Sequence, residues 1–393
     1  MMIGIVQQSN NIIGGGELAL FELITVIKEL NHECFVILPK DGEITRRLEK
    51  ENIPYVSYPF REWVVEPGIS RLTGSPQRRI SYLFMEGNLV ANQIKLKGLT
   101  PDLIITNTIT TPVGAFAALA LALPHIWYIR EFGVKDFNLE YELPEKIIYK
   151  IINKLSDCCI TDTYAVKSHL IKMGVKDNKI NKIHEWVDVP RSVSKIKLPG
   201  RKAKMTFIIT GRIEPGKRQF DAVEAMRILI HEEGLNVKLI IMGRVMNEWP
   251  ESVEYFEKIK AYVIRHNLSS RVIYVGYTKN PFRYIKSSNV ALMCSLNEAF
   301  GRVTIESMKL GVPVIGTSTG GTPEIMNLVT EGHEDIFLYK PGNIKDLAKI
   351  MKWTYNNKKR LDLITVDIKR YSNILFNKDC FESRINRSLE EVI

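Results

Sequence analysis

The sequence predicts an α/β protein of two domains, each a parallel sheet covered by helices on both faces, and three observations carry that expectation. Its 393 residues exceed what one hydrophobic core usually serves, which favours two domains of roughly 180 residues each. Short Val/Ile-rich runs alternate with amphipathic helical stretches through both halves, the order that strand–helix–strand units produce. Those runs are apolar on both faces, as a sheet buried from each side requires.

In the first half, strands are expected near 2–7, 34–38, 55–58, 103–106, 125–129, 157–161 and 180–184. In the second they are expected near 205–210, 237–242, 271–276, 290–294, 312–316 and 335–339. The polar, basic stretch VPRSVSKIKLPGRKAK, roughly 189–204, is punctuated by Pro190, Pro199 and Gly200 and reads as a linker. The domains therefore run over 1–188 and 205–376, followed by a last helix in 377–393 that could pack back on the first domain. Two open sheets joined by one hinge would set the carboxyl ends of their strands across a shared cleft, where such folds bind ligands.

Composition narrows the function classes. Hydrophobic residues at 45% and charged ones at 25% are ordinary for a globular chain and argue against disorder or repeats. The net charge of +10 suits an anionic partner, but the basic residues are scattered and form no arm or aromatic-studded motif, so nucleic acid is not expected. Five cysteines without C-x-x-C spacing read as reduced thiols, and seven histidines without metal-ligand pairing predict no metal site. The opening MMIGIVQQ reads as a strand without a charged leader, so a cytoplasmic location is expected. The longest apolar run, PVGAFAALALALPHIWYI, is split by Pro124 into pieces too short to span a bilayer.

Chemistry concentrates in VALMCSLNEAFGRVTIESMKLGVPVIGT, residues 290–317, which reads as strand, loop, helix and strand. Gly301 opens the helix, Gly311 closes it in a left-handed cap, and Pro313 prevents its continuation. The amides of Phe300, Gly301 and Arg302 form a helix amino terminus, which favours a phosphate. Glu298 and Glu306 flank that position and are suited to accept hydrogen bonds from hydroxyls, Glu298 from a sugar and Glu306 from a ribose. An acidic helix start with a solvated glutamate is the alternative.

Three further loops follow strands. In MTFIITGRIEPGKRQFDAVEAM, residues 205–226, Gly211, Pro215 and Gly216 shape a turn from which Arg212 and Lys217 could neutralise a departing diphosphate; a solvated basic turn is the alternative. In SNNIIGGGE, residues 9–17, Gly15 and Gly16 precede the helix ELALFELITVIKEL and let backbone approach an anion, although the spacing is not G-x-G-x-x-G and a plain tight turn remains open. In GTSTGGTPEI, residues 316–325, Gly320 and Gly321 could admit a sugar or phosphate while Thr322 or Glu324 meets hydroxyls, or the loop is an ordinary turn before a helix started by Pro323.

Taken together, residues 205–325 resemble the nucleotide-sugar domain of glycosyltransferase family 4, retaining enzymes of GT-B fold with two Rossmann-like domains. The resemblance rests on the E-x7-E pair Glu298 and Glu306, the FG between them, the GR-x4-K loop of Arg212 and Lys217, and the GGxPE stretch from Gly320 to Glu324. It implies a UDP- or GDP-linked sugar as donor, held by the second domain, with no cofactor and no metal. Arg212 and Lys217 would take the diphosphate, Glu306 the ribose, Glu298 the sugar, and Gly276 with Tyr277 the base. A saccharide or lipid-linked saccharide acceptor would sit on the first domain, and absence of a D-x-D triplet agrees with metal independence.

Two departures from the family pattern stand out. Where many members carry a histidine after PHIWYI, this chain has Arg130 and Glu131, which could contact the phosphate or transferred sugar and orient the acceptor hydroxyl; His125 reads as a core residue. The usual asparagine-glycine-valine-aspartate is replaced by HEWVD, residues 184–188. Trp63, Arg71, Arg78 and Arg79 fall in one stretch that reads either as peripheral attachment to the inner face of a membrane or as a solvated loop. A nucleotide-sugar hydrolase or epimerase, and a non-catalytic sugar-nucleotide-binding protein, are the competing functions. The first would form product without an acceptor, the second none at all.

Overall fold

Runs such as Ile3-Gly4-Ile5-Val6 and Phe207-Ile208-Ile209 have no polar face, so they are stable only where both sides of a sheet are covered. In the computed structural model, which describes residues 1–11, 14–70, 72–134, 139–330 and 337–393, they become the centres of two parallel sheets. The chain divides into one unit of Met1–Trp186 with Lys378–Ile393 and another of Val187–Asn377.

In the first unit, β1 (Met2–Val6), β2 (Glu33–Leu38) and β3 (Tyr55–Ser57) are followed by β4 (Val64–Val65), β5 (Leu103–Thr106), β6 (His125–Ile129), β7 (Glu140–Tyr141), β8 (Cys158–Thr161) and β9 (Ile180–Lys182). The main sheet has the order β3-β2-β1-β5-β6-β8-β9 with every adjacent pair parallel, Ile3 standing opposite both Cys34 and Leu103. Side chains alternate between faces as strand geometry demands: Ile3, Ile5, Cys34, Val36 and Leu38 enter one core, and Val6, Phe35 and Ile37 the other. The antiparallel pair β4–β7 stands apart and was not foreseen.

The second unit repeats the plan with β10 (Met205–Thr210), β11 (Val237–Met242), β12 (Val272–Gly276), β13 (Val290–Met293), β14 (Val314–Thr317) and β15 (Leu338–Tyr339). Their order, β12-β11-β10-β13-β14-β15, is again all parallel. In both sheets the winding reverses beside the first strand, between β1 and β5 and between β10 and β13. Connections leave such a reversal in opposite directions and open a crevice at the strands' carboxyl ends. The expected strand at 335–339 begins in residues outside the described set, of which Leu338–Tyr339 is strand.

Two expectations change. Residues 189–204 contain no helix or strand, but they are fastened to the second unit rather than acting as a loose linker. The Ile196 N–H donates to Ser287 Oγ at 2.8 Å, and Lys238 Nζ donates to the Pro199 carbonyl at 3.0 Å. The first helix begins at Gly15 rather than Glu17, because Glu17 accepts the Gly14 N–H at 2.8 Å and closes the helix start across the glycines. The last helix, Lys378–Glu390, belongs to the first unit, where Phe381, Ile385 and Leu389 enter the core beside Ile3 and Ile5.

Candidate functional site

The crevice of the second unit is built by three loops. The first leaves β10 at Gly211, whose φ of +143° lies in a region that favours glycine. The Gly211 N–H donates to the Met242 carbonyl at 3.0 Å, and the Gly243 N–H donates to the Gly276 carbonyl at 3.0 Å. The ends of β10, β11 and β12 are thereby tied so closely that a Cβ on Gly243 would fall 1.7 Å from the Gly211 oxygen. Arg212 and Lys217 then project from a rigid base. Arg212 Nε lies 3.5 Å from Glu214 Oε2, and its guanidinium is 5.3 Å from the centre of the Trp249 ring. Pro215–Lys217 forms a single tight turn.

The second loop leaves β13, the strand across the reversal. Its Leu296 N–H donates to the Gly216 carbonyl at 3.0 Å, and Lys217 Nζ donates to Glu298 Oε2 at 2.8 Å. The two loops are therefore joined by one backbone and one charged hydrogen bond. Burial, the largest single influence on either group, disfavours both charges, but the ion pair and its charged neighbours together outweigh it. Glu298 is held below the ordinary carboxylate range, helped by Ser295 and Arg212, and Lys217 above the ordinary lysine range, helped by Glu214.

The third loop follows β14 and fixes the backbone of Glu298. The Gly321 N–H donates to the Glu298 carbonyl at 2.7 Å, and a Cβ on Gly320, at φ +60°, would lie 2.2 Å from that same oxygen. Thr317 Oγ1 donates to the Ser295 carbonyl at 2.8 Å and Thr319 Oγ1 to the Leu296 carbonyl at 2.7 Å. Gly320 and Gly321 thus hold Glu298 in place, a task beyond the one expected of them.

Gly301, at φ +84°, starts the helix Arg302–Lys309, with the Thr304 N–H donating to its carbonyl at 2.8 Å. Phe300 is buried against Phe376, ring centres 6.1 Å apart, so its side chain belongs to the core. Arg302 and Glu306 are half-buried on that helix. Gly276, at φ +71°, ends β12, and Tyr277 beyond it is 69% exposed. Thr210, Thr304 and Thr322 carry buried hydroxyls without a hydrogen-bond partner among the described residues. In the sequence Thr210 and Thr304 are marked only by their places at a strand end and in a first helical turn.

In the first unit, Gly15 and Gly16 are exposed in the first turn of the helix Gly15–Glu29, and Ile12 and Ile13 of the same loop lie outside the described residues. Arg130 is engaged by the protein: it donates to Glu185 Oε1 at 3.1 Å and to the Asn107 carbonyl at 3.0 Å, and its guanidinium is 5.0 Å from the Tyr128 ring centre. The Glu131 carboxylate accepts the Arg130 N–H at 3.1 Å and the Ile109 N–H at 3.3 Å. Burial pushes the Glu131 carboxyl up despite those bonds. Asp162 is fully buried near the same group, and burial followed by the Glu185 charge raises its carboxyl well above the ordinary value.

His125 packs in the core, 2.7 Å from Thr106 Oγ1, with burial lowering its imidazole to about 3. Trp63, considered for a membrane surface, is fully buried against Trp127 with ring centres 5.6 Å apart, while Arg71 lies outside the described residues. Arg78 reaches the Tyr82 hydroxyl at 3.2 Å and Arg79 the Glu142 carbonyl at 2.5 Å. Among the described residues no helix is long and apolar enough to cross a membrane, and no three His, Cys, Asp or Glu side chains gather to hold a metal ion.

Two doubly wound units with a charged, glycine-lined crevice define a protein of the GT-B class. The family model described as Glycosyl transferases group 1 matches residues 191–368, and that described as Glycosyltransferase Family 4 matches residues 13–191. The chain belongs to the GT-B glycosyltransferases. It is 25% identical to the capsular polysaccharide biosynthesis glycosyltransferase CapM of Staphylococcus aureus over 71% of this chain and 74% of that one. It is 26% identical to an uncharacterized glycosyltransferase of Methanocaldococcus jannaschii over 56% of this chain, and spans 57% of that relative's length. In structure it is similar to HepE of Anabaena, crystallised in complex with UDP and glucose, with a TM-score of 0.76 at 20% identity over 99% of both chains.

Proposed function

We propose that this protein transfers a hexose-type sugar from a UDP- or GDP-linked donor to a saccharide or lipid-linked saccharide, retaining anomeric configuration without a metal. The carrying observation is the Lys217–Glu298 pair, clamped between the two loops that flank the reversal of the second sheet and adjoining a helix amino terminus. Lys217 spends one of its three hydrogens on Glu298 and is 29% exposed, so its ammonium has the donors to take a diphosphate oxygen. Arg212 and the amides at Gly301 and Arg302 add positive potential, and together they would stabilise charge as the diphosphate leaves.

Glu298, ionised and fixed by Gly321, would accept hydrogen bonds from the donor sugar, Glu306 those of the ribose, and Gly276 with Tyr277 would face the base. The acceptor hydroxyl would attack from the face the diphosphate leaves, passing its proton to the outgoing oxygen. The first unit is assigned the acceptor, with Arg130 and Glu131 shaping the ground beneath it rather than touching the reacting atoms. Support for a surface glycan as product comes from the names of relatives such as CapM and the lipopolysaccharide 1,6-galactosyltransferase of Escherichia coli. The test is a panel of nucleotide sugars screened for thermal stabilisation, then for transfer to lipid-linked saccharides with chelator present. Stabilisation by one donor with acceptor-dependent, chelator-resistant transfer is the expected result; product formed without any acceptor would overturn it.

A further inference from the structure

At the carboxyl ends of the helices Pro281–Ser287 and Arg302–Lys309, the second unit contains a cavity of 280 Å³. Its wall includes Arg191, Lys286, Lys309, Lys369 and Asn373 and no acidic side chain. Lysines at helix ends ordinarily answer the last carbonyls, and two of these do so: Lys286 Nζ donates to the Leu310 carbonyl at 2.5 Å, and Lys309 Nζ to the Phe376 carbonyl and also to that of Val187, each at 2.8 Å. That explanation fails for Arg191 and Lys369, whose side chains have no hydrogen-bond or ion-pair partner among the described residues. The Lys286 ammonium is held below its ordinary range by burial and then by the charges of Lys369 and Lys195. Four cations around one small concavity repel one another, and an anion entering it relieves that repulsion.

The cavity is smaller than those that enclose drug-sized ligands, which run from about 300 Å³ upward, and suits a phosphate or diphosphate group. It is distinct from the loops at Gly301, because the helix Arg302–Lys309 separates the two by about 12 Å at 1.5 Å per residue. We propose that this cavity is a second anion site, which binds a phosphate-bearing group through Arg191 and Lys369 against the fixed charges of Lys286 and Lys309. The phosphate is either free in solution or the headgroup of an anionic phospholipid, and the two sources make the same contacts.

Acylation of the full chain with an amine-reactive reagent, followed by mass spectrometry of each lysine, tests the site directly. Saturating inorganic pyrophosphate, or vesicles of phosphatidylglycerol, should slow labelling of Lys286 and Lys369 about tenfold while leaving the surface residue Lys358 unchanged. Arg191→Gln, at an exposed position whose loss breaks no contact, should raise the pyrophosphate concentration required about tenfold. Protection by vesicles alone assigns the lipid source, and protection by pyrophosphate alone the soluble one. Unchanged labelling with both probes, or protection spread equally to Lys358, overturns the proposal.

Discussion

Lys217 and Arg130 occupy comparable places, each a cation just beyond the carboxyl end of a strand in a doubly wound sheet, yet the two units use them differently. Arg130 is 7% exposed and is claimed by Glu185, the Asn107 carbonyl and the Tyr128 ring. Lys217 is 29% exposed and makes one ion pair. A buried guanidinium with several protein partners ties strand ends together, whereas a half-open ammonium keeps hydrogens for a ligand. Residue type and strand position alone do not separate these roles; the number of partners does.

The sharpest way to break that contrast is to remove each cation. Arg130→Met should destabilise the first unit by about 3–5 kcal/mol, because the buried Glu185 carboxylate loses its ion pair with the guanidinium, and urea unfolding followed by a tryptophan signal would measure it. Adding Glu185→Met should restore much of the loss; an undisturbed single variant would erase the contrast. Lys217→Ala should instead lower turnover by about 10²–10³ with the fold intact, read in a labelled-sugar transfer assay and by circular dichroism.

Smaller and of opposite sign with pH are the effects of two carboxylates. The Asp162 carboxyl is raised above its ordinary 3.8, so the stability it confers is complete below that value and lost as pH rises. Asp162→Asn should therefore raise the melting temperature by a few degrees at about pH 7, an advantage that fades toward about pH 4. Glu298 is lowered from 4.5, so its contribution is present above that value and lost as pH falls through the depressed one; Glu298→Gln should destabilise near neutrality and lose its effect in acid. Melting curves across that range check both signs. Least of all, Tyr277→Ala should raise the donor KM about threefold, in line with a lost aromatic contact, and leave stability unchanged.

The same contrast explains which features were legible in the sequence. Both sheets could be read from their apolar runs, because a strand buried on two faces announces itself within five residues. The loops carrying Lys217, Glu298 and Gly320 were legible as short contiguous stretches that follow strands. The clamp on Arg130 was not, since Asn107 and Glu185 lie 23 and 55 residues away and meet it only once β5, β6, β8 and β9 are in order. The two-residue strands β4 and β7 are too short for a periodic signal. The helix start at Gly15 runs against glycine's low helix propensity and depends on the Glu17 cap.

The return of the helix Lys378–Glu390 to the first unit bears on how the protein is made. During synthesis the strands β1 to β9 leave the ribosome long before Phe381, Ile385 and Leu389, so their core stays open until every residue of the second unit has been added. The second unit, drawn from one unbroken stretch, can close first. A fragment ending at Trp186 would lack the helix that covers this apolar face and would keep that surface exposed.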